Sequence, residues 1–137
     1  MTGRLDPGEG SLPFLDRWPY ARFLGLRAEA AAVDDLVVVL PFAERLIGNP
    51  ILPALHGGVV ASFLELAALA RLDAAGRRAR TIDITVDYLR PARPLTTYAE
   101  PRILKLGRRA ANVTVEAWQD DRASPVAALR GHFLIIG

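Results

Sequence analysis

The sequence predicts an α+β domain in which one antiparallel sheet of about six strands wraps around a single long helix. Three observations carry this reading. The run from Gly57 to Ala75 is rich in Ala and Leu and contains no Pro; between Val59 and Ala70 its one charged residue is Glu65. A helix that is apolar nearly all round is buried on most of its faces. The second half of the chain is a succession of long strand-like segments joined by short polar turns, the pattern of an antiparallel meander. The 137 residues are one domain by length, so helix and sheet must cover each other.

Taken in order, residues 1–22 read as an N-terminal arm and a short helix, and 23–137 as the domain proper. The first eleven residues are rich in Gly, Pro and charge. From Leu12 to Tyr20 the positions Leu12, Phe14, Leu15 and Trp18 line one helical face; Pro13 fits its first turn and Pro19 stops it. The runs Phe23–Ala32 and Asp35–Leu40 read as two strands joined at Val33-Asp34-Asp35, the second strongly β-branched and ended by Pro41. Phe42 to Pro53 holds Gly48, Asn49, Pro50 and Pro53, and reads as an irregular, largely apolar loop. The helix follows, about 19 residues and ~28 Å long, with Gly76 suited to its C-terminal cap. Four strands complete the chain. Thr81 to Tyr88 alternates, with Ile82, Ile84, Val86 and Tyr88 on one face, and Leu95–Leu106, Ala110–Gln119 and Val126–Ile136 come after it.

Composition removes several function classes. With no Cys, the chain has neither a thiol nucleophile nor disulfides, and His56 and His132 are too far apart for zinc-finger spacing. No metal is called for. No apolar run reaches the ~18 residues of a membrane helix. The first ten residues carry Asp6 and Glu9 and no apolar core, so a signal peptide is not expected and the cytoplasm is the default address. Net charge is only +2, and Arg supplies all the cations except Lys105. That mild excess, without a motif or interleaved aromatics, fits an anionic small molecule better than nucleic acid.

Glu65 is the first candidate for chemistry, because a carboxylate on an apolar helix face is costly unless it is paired or solvated. It either pairs with an arginine or serves as a general base that orients water. His56-Gly57-Gly58 heads the same helix, where backbone N–H groups and the positive end of the dipole are exposed. Gly57 leaves its amide open to a carbonyl oxygen, and His56 suits a supporting hydrogen bond within the turn. Asn49 is either a second donor to that oxygen or a turn cap. Thr81 opens the strand after the helix and has a hydroxyl able to orient Glu65. Gly57 and Glu65 are eight residues apart, about 12 Å along one axis, too far for one reacting carbon to touch both. Either the two are unrelated or two antiparallel helices from two subunits build the site.

Leu55-His56-Gly57-Gly58, with Glu65 nine positions after the His, resembles the signature of hotdog-fold acyl-CoA thioesterases of the phenylacetate-degradation type. Tyr88-Leu89-Arg90-Pro91-Ala92 and Gly107-Arg108-Arg109 are similar to that family's third-strand end and hairpin. The resemblance implies hydrolysis of an acyl-CoA thioester, with a medium-chain or aromatic acyl group suggested by the apolar loop. It implies a homodimer or homotetramer whose sheets pair edge to edge and whose sites are shared. Gly57 would polarise the carbonyl, the partner's Glu65 would act as base or nucleophile, His56 would brace the turn and Thr81 would help position the attack. Coenzyme A, as part of the substrate, would lie along the interface, with Gly58, Arg90, Arg108 and Arg109 as its candidate contacts. The loop from Asn49 to His56 is one residue longer than the family's pattern and lacks its glycine. The other readings are a non-catalytic acyl- or CoA-binding protein of this fold, or an acyl-thioester dehydratase or hydratase.

Overall fold

The computed structural model describes residues 12–29, 36–49, 51 and 53–137; the predicted turn at Val33-Asp34-Asp35 and the first eleven residues lie outside them. The described residues form eight strands and three α-helices in the order α1 (Pro13–Arg17), α2 (Pro19–Leu24), β1 (Arg27–Ala28), β2 (Val38–Leu40), β3 (Ile47–Asn49), β4 (Ala54–Leu55), α3 (Gly57–Ala74), β5 (Ala79–Tyr88), β6 (Thr97–Leu106), β7 (Ala110–Trp118) and β8 (Ala127–Ile135). Six of the strands form one antiparallel sheet in the order β1-β2-β6-β7-β8-β5, and α3 packs against β5, β6, β7 and β8. This is the hotdog architecture: a sheet curled around one helix.

The helix is wrapped because it has no polar face. Val60, Phe63, Leu64, Leu66, Leu72 and the alanines 67, 68, 70 and 74 are all buried. The alanines let the sheet come close, while Phe63 and Leu64, fully buried, contribute about 1.5–3 kcal/mol each. The sheet answers with Val113, Val115, Ala117, Leu129 and Phe133 on its inner face. Gly131 has a packing role here, since a Cβ on it would stand 2.7 Å from the Phe133 ring. Beyond Ala74, Gly76 adopts φ +80°, its N–H donates to Asp73 O, and the Arg77 N–H donates to Leu72 O. These two bonds satisfy the last carbonyls and end the helix as a Schellman motif.

Local elements differ from the sequence reading at four places. Pro19 ends α1 at Arg17 and then opens α2, because its fixed φ and missing N–H suit a first helical position. Of the predicted strand over Phe23–Ala32, positions 30–32 lie outside the described residues and the rest shows β1, because α2 runs to Leu24 and Gly25 turns the chain at φ +73°. The loop 42–53 contains a 3-10 turn (Glu44–Leu46) and strand β3, which pairs with β4 just after the loop. In β5 a bulge at Ile82 shifts the alternation, and Ile82 turns out of the core. Thr81 and Ile84 are three residues apart and would face opposite ways in a regular strand. The extra residue lets both face α3.

On the outer side of the sheet, Glu100 receives Arg102 at 2.8 Å and also the Arg122 guanidinium, which lies over the Trp118 ring. Partial burial pushes the Glu100 carboxyl upward, but hydrogen bonds from Arg122 and Arg102 outweigh it and hold the pKa below the ordinary value. A carboxylate with a lowered folded-state pKa stabilises the fold above its unfolded pKa, and that gain is lost as pH falls through the folded value. Both arginines are largely exposed, so the contribution is about 1 kcal/mol at most. Glu100→Gln should lower stability by that amount at neutral pH in urea unfolding. The difference from the parent should vanish in acid.

Candidate active site

The start of α3 is held from two sides. His56 is its N-cap, and the imidazole Nδ1 accepts the Gly58 N–H at 3.2 Å. The His56 carbonyl accepts from Val60, and its own N–H donates to Leu46 O, which ties the helix start to the 3-10 turn before β3. Gly48 packs so closely on His56 that a Cβ there would lie 3.0 Å from the His56 Cα. From the other side, the Tyr88 hydroxyl donates to Gly57 O at 2.9 Å. Among the described residues, the Gly57 N–H donates to no protein group. The turn therefore leaves the Gly57 amide open at the positive end of an 18-residue helix.

Gly57 borders a cavity of about 320 Å³. Leu55, Val60, Leu89, Pro91, Ala92 and Val126 give it mainly apolar walls. The segment after β5 is fixed there by backbone bonds from Leu55 to Ala92 O and from Leu89 to Val126 O. Gln119 fastens the same segment: its amide spans the Arg93 N–H and carbonyl and reaches the Thr97 hydroxyl.

Glu65 lies two turns further along α3, half-buried. The Thr81 hydroxyl donates to its Oε2 at 2.6 Å. Among the described residues Oε1 has no hydrogen-bond partner, and no arginine forms an ion pair with the carboxylate. One oxygen is anchored and the other is available, the arrangement needed to hold a water. Gly57 meets Tyr88 at the end of β5, and Glu65 meets Thr81 near its start. The helix thus runs antiparallel to β5, and Glu65 does not line the cavity at Gly57.

The other predicted residues divide by location. Asn49 closes β3 beside Ala54, and its side chain lies outside the described residues. Gly58, expected to contact coenzyme A, has its N–H taken by His56. Arg90 borders the Gly57 cavity and donates to Pro125 O at 2.5 Å. Arg108 and Arg109 stand at the opposite end of the sheet, in the β6–β7 hairpin, where Arg77 donates to Gly107 O and Arg108 O. The length of β5, roughly 30 Å, separates the two groups, so one chain does not bring them to a common rim. Tyr88 was read from sequence only as a strand residue and part of a motif. Its hydroxyl contact with Gly57 needs the crossing of β5 over the helix start, which no local pattern reveals. Among the described residues no cluster of His, Asp or Glu could hold a metal, and no helix is long and apolar enough to cross a membrane.

A helix wrapped by a sheet, with an open amide at its first turn and a carboxylate on its side, carries the kinds of group that acyl transfer uses. Residues 52–126 match the Thioesterase superfamily. The medium/long-chain acyl-CoA thioesterase YigI of Salmonella typhimurium is 31% identical over 125 residues, which cover 80% of this chain and 81% of that protein. A Chromobacterium violaceum protein of known crystal structure is 38% identical, with a TM-score of 0.71 over 90% of this chain and 87% of its own. The Escherichia coli PaaI protein from the phenylacetic acid degradation operon shares the fold at a TM-score of 0.79 and 22% identity, over 91% of this chain and 89% of its own. The chain belongs to the thioesterase superfamily and has its hotdog fold.

The His56 cap has a direct test. His56→Ala leaves the Gly58 amide without its acceptor and should cost about 1 kcal/mol of stability by denaturant unfolding.

Proposed function

We propose that this protein hydrolyses acyl-CoA thioesters to the free acid and coenzyme A, acting on a medium-chain or aromatic acyl group in the cytoplasm. The observation that carries the reading is a pair of groups on α3 without acceptor or donor among the described residues: the Gly57 N–H, and Oε1 of the Thr81-anchored Glu65 carboxylate. YigI supports the substrate class, and the mainly apolar cavity beside Gly57 supports an apolar acyl group.

In this reading the Gly57 amide donates to the thioester carbonyl oxygen and stabilises the charge that develops there. Glu65 takes a proton from water as the water oxygen bonds to the carbonyl carbon, or attacks that carbon itself to give an acyl anhydride that water then opens. The C–S bond breaks, and the thiolate leaves and gains a proton. His56 and Tyr88 hold the Gly57 turn, and Thr81 orients Glu65. Asn49, on the ribbon that packs against His56, is a second donor to the same oxygen.

The protein works as a homodimer, or a dimer of dimers, with shared sites. β5 supports this: it is an edge strand of ten residues that pairs with β8 on one side only, and such an edge invites pairing with another strand. Antiparallel pairing of two β5 strands, centred between Ile84 and Thr85, sets Thr81 opposite the partner's Tyr88. Glu65 and the partner's Gly57 then approach each other, as the 12 Å spacing on one helix requires. The same symmetry brings Arg90 toward the partner's hairpin arginines, which restores a phosphate-binding rim.

The test is thiol release from a panel of acyl-CoAs. Glu65→Gln keeps the Thr81 contact and removes the base, and should lower kcat roughly a hundred- to ten-thousandfold. Equal rates for the variant and the parent would refute the reading.

A further inference from the structure

Both sides of the N-terminal helical segment carry apolar side chains, although only one side packs. Phe14, Leu15, Ala21 and Leu24 are buried in the core, and α1 and α2 both contact α3. On the outer side Trp18 keeps 41%, Tyr20 40% and Phe23 57% of its surface exposed. Tyr20 and Phe23 stack with ring centroids 5.9 Å apart. Phe42 is exposed as well, three positions before Arg45, whose guanidinium stands 5.1 Å from the Phe23 centroid. Among the described residues the one other exposed aromatic side chain is Tyr88, at the candidate active site. Exposed rings are thus gathered around α1 and α2.

Positive charge surrounds these rings. Arg22 lies on α2 between Tyr20 and Phe23, and Arg45 covers Phe23 while donating to its carbonyl at 2.7 Å. Beside Trp18, Arg77, Arg78 and Arg80 line the same hollow at the end of α3. None of these five arginines forms an ion pair with a carboxylate among the described residues, whereas Arg17 is neutralised by Asp73. Against them stand the exposed carboxylates of Asp16 and Glu44. The whole chain has a net charge of only +2, so its cationic excess is concentrated on this face.

We propose that the outer face of α1 and α2 docks the protein on an anionic lipid bilayer, with Trp18, Tyr20 and Phe23 at headgroup depth and the flanking arginines on lipid phosphates. Core packing does not call for outward rings here, since Ala21 and Leu24 already make the inner contacts of α2. An apolar patch rimmed by charge is an interaction site. Amphipathic rings settle at the boundary between water and hydrocarbon, and cations there gain from the negative surface potential of acidic lipids. A fluid bilayer matches these two features and needs no shaped pocket to receive it. The protein lies on the membrane and does not span it: among the described residues no helix is long and apolar enough to cross. Docking is measured without turnover, so it stands or falls apart from the thioesterase reading.

Trp18 is a built-in reporter, since Trp118 is the only other tryptophan. The full-length Trp118→Phe protein is mixed with vesicles of phosphatidylcholine alone, or of equimolar phosphatidylcholine and phosphatidylglycerol. It should sediment with the anionic vesicles and much less with the neutral ones. Trp18 emission should move to shorter wavelength and be quenched by brominated acyl chains. Tyr20→Ser/Phe23→Ser should weaken partitioning by about tenfold or more. Arg22→Gln/Arg78→Gln, at two exposed positions, should weaken it by about fivefold per arginine and flatten its salt dependence. This second variant carries the test if the first does not fold. Absence of binding, equal binding to both vesicles, or sedimentation with unchanged Trp18 emission overturns the proposal. So does a fall in the assembled mass of the folded Tyr20→Ser/Phe23→Ser protein without vesicles, which assigns the face to a second copy of the chain.

Discussion

When every face of a helix is apolar, water can reach it only at its ends and beside the few polar groups it carries. The α3 helix is such an element, and the curl of the sheet follows from the need to cover it. The same cover restricts where chemistry can happen. Gly57 is exposed because a helix start cannot hydrogen-bond its own first amides. Glu65 is tolerated because Thr81 supplies a hydrogen bond to a carboxylate that has no charged partner among the described residues. A stable core and the two groups of the proposed site thus arise from one piece of sequence.

Rigidity sets the next constraint. A straight helix fixes the Gly57–Glu65 separation at about 12 Å, and side-chain motion does not close that gap. The bulge at Ile82 serves the same geometry, because it turns Thr81 toward Glu65 while Ile84 and Val86 remain packed on α3. At the other end of β5, Tyr88 grips the carbonyl of Gly57. One edge strand therefore positions both halves of the proposed site, and pairing of two such edges is the simplest way to join them.

Much of this was legible in the sequence. The helix from Gly57 and the long strands β5 to β8 declared themselves by uniform apolarity and by alternation, signals that survive without tertiary information. The bounds of the helix were within a residue of those observed, because Gly57 and Gly76 punctuate it. Residues 12–55 were harder: β1 to β4 are two or three residues long, too short for a period to show. Pro19 reads as a terminator from one side and an initiator from the other, and it does both. Within the candidate site, Glu65 and Gly57 stood out by type and spacing, whereas Thr81, a β-branched residue at a strand start, carried little signal until its hydroxyl was seen on Glu65. The split of Arg90 from Arg108 and Arg109 did not, because it depends on which end of the sheet each turn occupies.

The proposed sharing of one site by two chains is tested most directly by mixing two disabled variants. Gly57→Pro removes the Gly57 amide yet fits a first helical position, and His56 already has the φ −60°, ψ 130° that a following proline prefers. Glu65→Gln removes the base. Each variant alone should be nearly inactive. After subunit exchange in equal amounts, about half the dimers are heterodimers with one intact site each, so thiol release should return to about a quarter of the wild-type rate. No recovery in a preparation with verified heterodimers would show that Gly57 and Glu65 do not act across the interface.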